Sequence, residues 1–461
     1  MNFSSLAFLF LFLPITVILY QCIPAKGRYP FLILVSFFFC AVSGPLHAIV
    51  LLGSVFVNYI LGFLIAKNRG QSKKAKLFLT LSIIINVAFL AFFKYSGLFV
   101  STFSSLTGIR AAFSVALPLG ISFYTFHAIS FAVDVYRGTP LPGVLNFTTY
   151  MVLFPKLIQG PIMPYHQFLP QVHAARSSAE DISCGIRRFL CGLAKKVLIA
   201  NSLFSLYQQL YEHMSDSGTL GAWFCLVAYS LFIYFDFSGY TDMALGIGNM
   251  LGFTLPENFN YPYTSRSISD FWRRWHMTLG SWFRDYLYIP LGGNRKGTLR
   301  TVLNLLIVWS LTGFWHGASW NFLLWGIYYF VLLVIEKFLF RGKLERIRGL
   351  NHIYVVFFVC MGWILFSCSD LQAVGAWIKA LFTVQNGVVL SQDSMSILFA
   401  YLPTICIAVI GCLPYGKRLY NKVLSSRRTA WVDFIVSVIV LVVCVAAIVS
   451  GSYSPFLYAA F

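Results

Sequence analysis

One imidazole, His316, stands in the stretch LTGFWHGASWNFLLWG (Leu311 to Gly326), between Trp315 and Gly317 and flanked by long apolar runs. Imidazole is the side chain best suited to take a proton from an alcohol near neutral pH. A second, His276, falls in SISDFWRRWHMTLGSWFRDYLYIPLGGNRKG (Ser267 to Gly297), a segment crowded with tryptophan and arginine. Two carboxylates, Asp236 and Asp242, interrupt the apolar run YFDFSGYTDMALGIGNMLGF (Tyr234 to Phe253). An ionisable side chain at such a place needs a partner or water, and by default marks function. Plainer readings stand beside each. His316 and His276 could be packing histidines with a satisfied hydrogen bond. The aspartates could orient a histidine, relay protons or tie helices together, and the tie is preferred.

The elements that carry these residues belong to a membrane protein. The chain has 461 residues, 58% hydrophobic and 11% charged, and apolar stretches long enough to cross a bilayer recur along its whole length. No sizeable soluble domain remains, so residues 1–461 read as one all-α, polytopic transmembrane domain. The formal net charge of +19 sits in short loops such as KNRGQSKKAK, RGKLERIRG and YGKRLYNKVLSSRR. Such loops are orientation signals that face the cytoplasm rather than a nucleic-acid surface. The first apolar run, Phe3 to Tyr20, lacks a preceding basic residue and a small-residue cleavage site, so it reads as a retained span. The ten cysteines are irregularly spaced and read as small buried hydrophobes, with no metal pattern.

Placing the basic loops inside predicts about eleven or twelve crossings. Tyr150 to Ile162 (YMVLFPKLIQGPI) is apolar but short and broken by proline and glycine, which predicts a re-entrant element buried in protein. From Thr301 to His316 is about 22 Å of helix, short of a hydrocarbon core of about 30 Å. That places His316 inside the membrane, toward its outer half. Gly313 and Gly317 permit close backbone approach, so the ring can line a cavity. In the other segment, helical spacing predicts one aromatic face holding Trp272, Trp275, His276, Leu279, Trp282 and Phe283, with charge on the other faces. Charge density opposes a full span, so an interfacial helix on the cytoplasmic side is expected. Arg273, Arg274, Arg295 and Lys296 could receive an anionic cytosolic substrate such as a coenzyme diphosphate, and Arg273 and Arg274 with Trp275 and Trp282 form the candidate donor-side passage. Lipid headgroups account for the arginines almost equally well. Glu336 and Lys337 read as an ion pair at the inner interface.

Together these motifs resemble the membrane-bound O-acyltransferase superfamily, in particular its bacterial alginate and peptidoglycan O-acetyltransferase branch. The resemblance is carried in order by LPLGISFYTFHAISFAVDVYRG, FPKLIQGPI, DFSGYTDMALGIG, DFWRRWHMTLGSWFRDYLYIPLGGNRKG, LTGFWHGASWNFLLWG and MGWILF, spanning nearly the whole chain. It implies that His316 is the family's active-site histidine and His276 its second functional histidine. It implies a ring of helices around a central funnel or tunnel, with re-entrant and interfacial helices. One departure is His127, where many relatives carry glutamine.

The expected activity is transfer of an acetyl group from cytosolic acetyl-CoA, across the bacterial inner membrane, to hydroxyls of an exported polysaccharide or to an extracytoplasmic transferase partner. His316 would act as general base and His276 would position the thioester, with no permanently bound cofactor or metal. D-alanyl transfer to teichoic acid from a carrier-protein thioester is the rival within the superfamily. A proton-coupled transporter using the aspartates and histidines, and an inactive scaffold, are rivals outside it.

Overall fold

The computed structural model describes residues 2–108, 115–172, 177–340, 342, 344, 347, 349–368, 370–384, 387–423, 430–451 and 456. Most of the basic loop around Arg341 to Gly349, and the Arg427–Arg428 end of the next, fall outside them. Among the described residues the regular structure is helical, with no strand.

Nine described helices are long and apolar enough to cross a membrane: Pro45–Lys67, Ser72–Thr107, Ala179–Glu212, Gly218–Met250, Thr298–His316, Trp320–Phe340, Leu350–Ser367, Gln392–Gly411 and Trp431–Val449. The other expected crossings are shorter. Phe8–Cys22 spans only about 22 Å at about 1.5 Å per residue. Ala25–Ala41 and Ile121–Tyr136 are similarly short. Their apolar runs end early in proline, glycine or a turn, a limit that composition does not display. Another apolar helix, Leu371–Phe382, is shorter still. Cys22, Cys184, Cys191 and Cys406 are exposed, against the expectation of burial, while the other six cysteines are buried.

The chain forms two compact units, residues 1–189, 243–256 and 281–290 in the first and 190–242, 257–280 and 291–461 in the second. In the first, Pro45–Lys67 and Ser72–Thr107 pair through a reciprocal amide contact. Asn58 Nδ2 donates to Asn86 Oδ1 at 3.1 Å, and Asn86 Nδ2 donates to Asn58 Oδ1 at 2.7 Å. Such side-chain pairs link helices where lipid supplies no hydrophobic drive. Tyr150 to Ile162 breaks into Val144–Val152, Phe154–Leu157 and irregular backbone, and the segment is buried almost throughout. Phe154 packs against Phe3, Phe8, Phe12 and Phe39. Protein, not lipid, surrounds this non-helical stretch, as its unsatisfied backbone requires.

The second unit is organised by two ion pairs and a helical hairpin. Lys196 Nζ lies 2.6 Å from Asp236 Oδ1, and Lys195 Nζ lies 2.6 Å from Asp242 Oδ2. Both lysines start a π-helical turn, Lys195–Ala200, inside the longer Ala179–Glu212 helix. The two aspartates thus tie helices together. The hairpin joins Thr298–His316 to Trp320–Ile335. Gly313 and Gly326 face each other there: a Cβ on Gly313 would fall on the Phe322 carbonyl, and one on Gly326 on the Trp309 carbonyl. Backbones this close leave room for nothing larger than hydrogen at either position.

Candidate active site

His316 is the last residue of the Thr298–His316 helix, and Gly317 breaks away from it in an extended conformation. The helix places the ring at one end of the span, and the glycine-lined hairpin sets its surroundings. Only 3% of His316 is exposed. Its ring meets Trp315, Trp325 and Phe366 at centroid separations of 4.9, 5.0 and 5.4 Å. Each contact is close to edge-on, the orientation that aromatic quadrupoles favour. This apolar wall excludes water from one side of the imidazole and strengthens any electrostatic contact made there.

His276 is held quite differently. The helix Ile268–Arg274 stops before it and Met277–Phe283 begins after it, so the expected continuous aromatic face does not form. His276 itself has φ of +46°, a left-handed conformation unusual for a residue with a β-carbon. Surrounding hydrogen bonds enforce it: Leu279 N and Gly280 N donate to the His276 carbonyl at 3.0 and 3.1 Å, and Met277 N donates to the Asn258 carbonyl at 3.0 Å. The ring packs edge-on against Phe237 at 4.8 Å and beside Trp315 at 5.9 Å. Trp315 is therefore a shared neighbour of His276 and His316, and all three belong to the second unit. Desolvation pushes the His276 imidazole down to about 3, so the ring is neutral across the physiological range.

Upstream, Ser267 caps Ile268–Arg274 by accepting from Asp270 N. Glu336 does the remaining work at that helix end. Its carboxylate accepts from Ile268 N at 2.6 Å, Ser269 N at 2.9 Å and Ser269 Oγ at 2.8 Å. A negative charge at a helix N-terminus is favourable on its own account. The expected Glu336–Lys337 pair is replaced by this cap, because the π-turn Glu336–Phe340 presents the carboxylate to the backbone donors.

The remaining sequence-predicted residues are dispersed. Arg273 is exposed, and Arg274 is half-buried with Nε 3.0 Å from Asp270 Oδ1. Trp275 is 1% exposed and packed against Phe271, Phe259 and Trp363, which makes it core rather than the wall of a passage. Trp282 lies in the first unit, where its indole N–H donates to the Phe126 carbonyl at 3.2 Å and its ring rests on Phe126. The break at His276 is the physical reason that the two tryptophans do not share a face. His127 is in the first unit too, where its Nε2 accepts from Met163 N at 3.4 Å and its carbonyl from Tyr150.

Sequence reasoning passed over Asn258, whose side-chain oxygen receives His276 Nδ1 at 3.1 Å, and Glu336 in its capping role. A polar residue inside PENFNYPY was the available signal for Asn258. It sits 18 residues from His276, beyond any helical or strand period.

Residues 139–375 match the membrane-bound O-acyltransferase family, a segment that contains both histidines and the hairpin. The chain is 37% identical over 432 residues to a probable alginate O-acetylase of Azotobacter vinelandii, covering 91% of this chain and 86% of that protein. The chain belongs to the membrane-bound O-acyltransferase family. A peptidoglycan O-acetyltransferase of Helicobacter pylori is 31% identical over 99% of this chain and 97% of its own length. A teichoic acid D-alanyltransferase of Bacillus subtilis is 30% identical over 54% of this chain and 68% of its own. This family member is a multi-pass membrane enzyme, an O-acyltransferase.

Proposed function

We propose that the enzyme moves an acetyl group from a cytosolic thioester, acetyl-CoA, to hydroxyls of an exported polysaccharide or to an extracytoplasmic transferase partner, in a bacterial inner membrane. The observation that carries this is the pairing of two buried histidines around Trp315 in a chain whose full-length relatives are named as O-acetyl-transferring enzymes. A hydroxyl is a weak nucleophile until its proton is removed, and His316 is the base at the acceptor side. The hydroxyl oxygen attacks the thioester carbonyl, the C–S bond breaks, and the thiol leaves with the proton. In this reading His276 holds the thioester end, and the exposed guanidinium of Arg273 meets the donor's diphosphate. Enclosure by Trp315, Trp325 and Phe366 keeps water from competing as acceptor.

The aspartates offer little to a proton-relay reading, since Asp236 and Asp242 are each engaged by a lysine. The D-alanyl reading draws on a relative that aligns with only about half of the chain.

The test follows labelled acetyl from acetyl-CoA to extracytoplasmic material in membranes holding wild type or His316→Ala at equal folded amounts. We expect transfer by wild type and a loss of about 100-fold or more in the variant. Equal transfer by both would remove His316 from the chemistry.

A further inference from the structure

Asn258 Oδ1 is approached by three groups: His276 Nδ1 at 3.1 Å, Thr278 N at 3.2 Å and Thr278 Oγ1 at 3.0 Å. The Thr278 backbone N–H can only donate. The atom it meets must therefore be the amide oxygen, which fixes the orientation of the Asn258 side chain. An amide oxygen can only accept, so His276 Nδ1 must carry the proton. A neutral imidazole has one protonated nitrogen, and its Nε2 is then a bare lone pair. That nitrogen is buried and has no hydrogen-bond partner among the described residues. His276 as a whole is 2% exposed and Asn258 is fully buried.

We propose that Asn258 is a positioning residue that locks His276 in its Nδ1-protonated form and presents Nε2 as a hydrogen-bond acceptor to a donor group of the bound substrate. The left-handed turn at His276 and the bond from Met277 N to the Asn258 carbonyl hold the two residues in register, so side chain and backbone of Asn258 act together.

The chemistry of the ligand group follows. A neutral ring with its lone pair on Nε2 cannot hydrogen-bond a thioester carbonyl, which is itself an acceptor. His276 therefore does not polarise that carbonyl. It grips an N–H, O–H or S–H, and naming that group as part of the thioester donor rests on the acetyl-transfer reading above. In a pantetheine-type donor the matching group is the amide N–H two methylenes from the sulfur. A bond there would hold the thioester end while leaving its carbonyl carbon open to attack.

The full-length protein, with isotope-labelled histidine in lipid bilayers, tests the assignment by nitrogen NMR. The His276 signals are identified by their loss in His276→Gln. Wild type is expected to show a protonated Nδ1 and a bare Nε2. Asn258→Asp keeps an acceptor and should keep that pattern, while moving the acidic limb of the activity profile to higher pH, because a nearby carboxylate eases protonation of the ring. Asn258→Leu should lose the pattern and transfer acetyl at least about tenfold more slowly. An acetyl-CoA analogue with an ester in place of the amide nearest the sulfur should raise KM with wild type and make little difference with Asn258→Leu.

A proton on Nε2 in wild type overturns the proposal. So does an unchanged tautomer, or an unchanged transfer rate, in Asn258→Leu. Equal KM for the amide and ester donors would overturn the choice of ligand group. Should Asn258→Leu fail to fold, the wild-type and Asn258→Asp spectra still decide. If wild type transfers nothing from any thioester but the tautomer pattern holds, the acetyl-transfer reading fails and the role of Asn258 stands.

Discussion

His316 and His276 share a neighbour in Trp315 but owe their places to different physics. His316 ends an unbroken membrane-crossing helix, and its position follows from helix length and from two glycines that let a second helix approach. His276 sits where two short helices fail to join, and its position follows from hydrogen bonds to Asn258 and from a cap supplied by Glu336. One is placed by packing, which is insensitive to charge. The other is placed by a polar network, in which every member depends on the rest.

The comparison can be broken most forcefully at Gly313. In Gly313→Val the new side chain meets the Phe322 backbone, which cannot yield as a flexible side chain would. The expected cost is at or above the upper end of the roughly 1–3 kcal/mol typical of overpacking. Thermal unfolding in detergent measures it, and transfer per folded molecule should fall as well. Unchanged stability would mean that the hairpin is looser than its geometry requires.

A smaller effect is expected at Glu336. Glu336→Gln keeps an acceptor oxygen but removes the charge at the start of Ile268–Arg274, and should cost about 1 kcal/mol. Hydrogen exchange should quicken around Ile268 to Thr278 and stay unchanged around Gly313 to Gly317. Equal quickening in both segments would show that the two histidines are not independently placed.

The smallest effect is that of pH. The folded His276 titrates near 3, against about 6.5 for an unfolded chain. Its burial therefore contributes stability that is complete above pH 6.5 and declines as pH falls from there toward 3, because only the unfolded form takes up the proton. Between pH 7 and 6 wild type should lose more stability than His276→Gln, as read from paired denaturation curves. The opposite ordering would mean that His276 is charged in the folded protein.

This contrast also explains what could be read from the residues alone. Hydropathy locates most of the spans, and the WHG stretch with its glycines marks His316, since helix periodicity and small residues are local signals. The aspartates at 236 and 242 were legible as ties. Their partners, Lys195 and Lys196, were less so, because the pairings join residues 47 and 40 positions apart in sequence, respectively. The turn at His276 was hidden, for no glycine announces its positive φ, and helical spacing carried Trp275 and Trp282 onto a face that does not exist. Asn258 and Glu336 act across 18 and 68 residues, respectively, at separations set by the fold.

The Asn58–Asn86 amide pair carries a consequence for biogenesis. Within its own helix each asparagine donates to the carbonyl four residues back, Asn58 to Ser54 and Asn86 to Ser82, but its side-chain oxygen remains an acceptor that lipid cannot satisfy. Each satisfies the other only when both helices are present side by side. The Pro45–Lys67 and Ser72–Thr107 helices are thus suited to leave the insertion machinery as a preformed hairpin. The chain would then begin its assembly with a matched pair, before His276 and His316 have been synthesised.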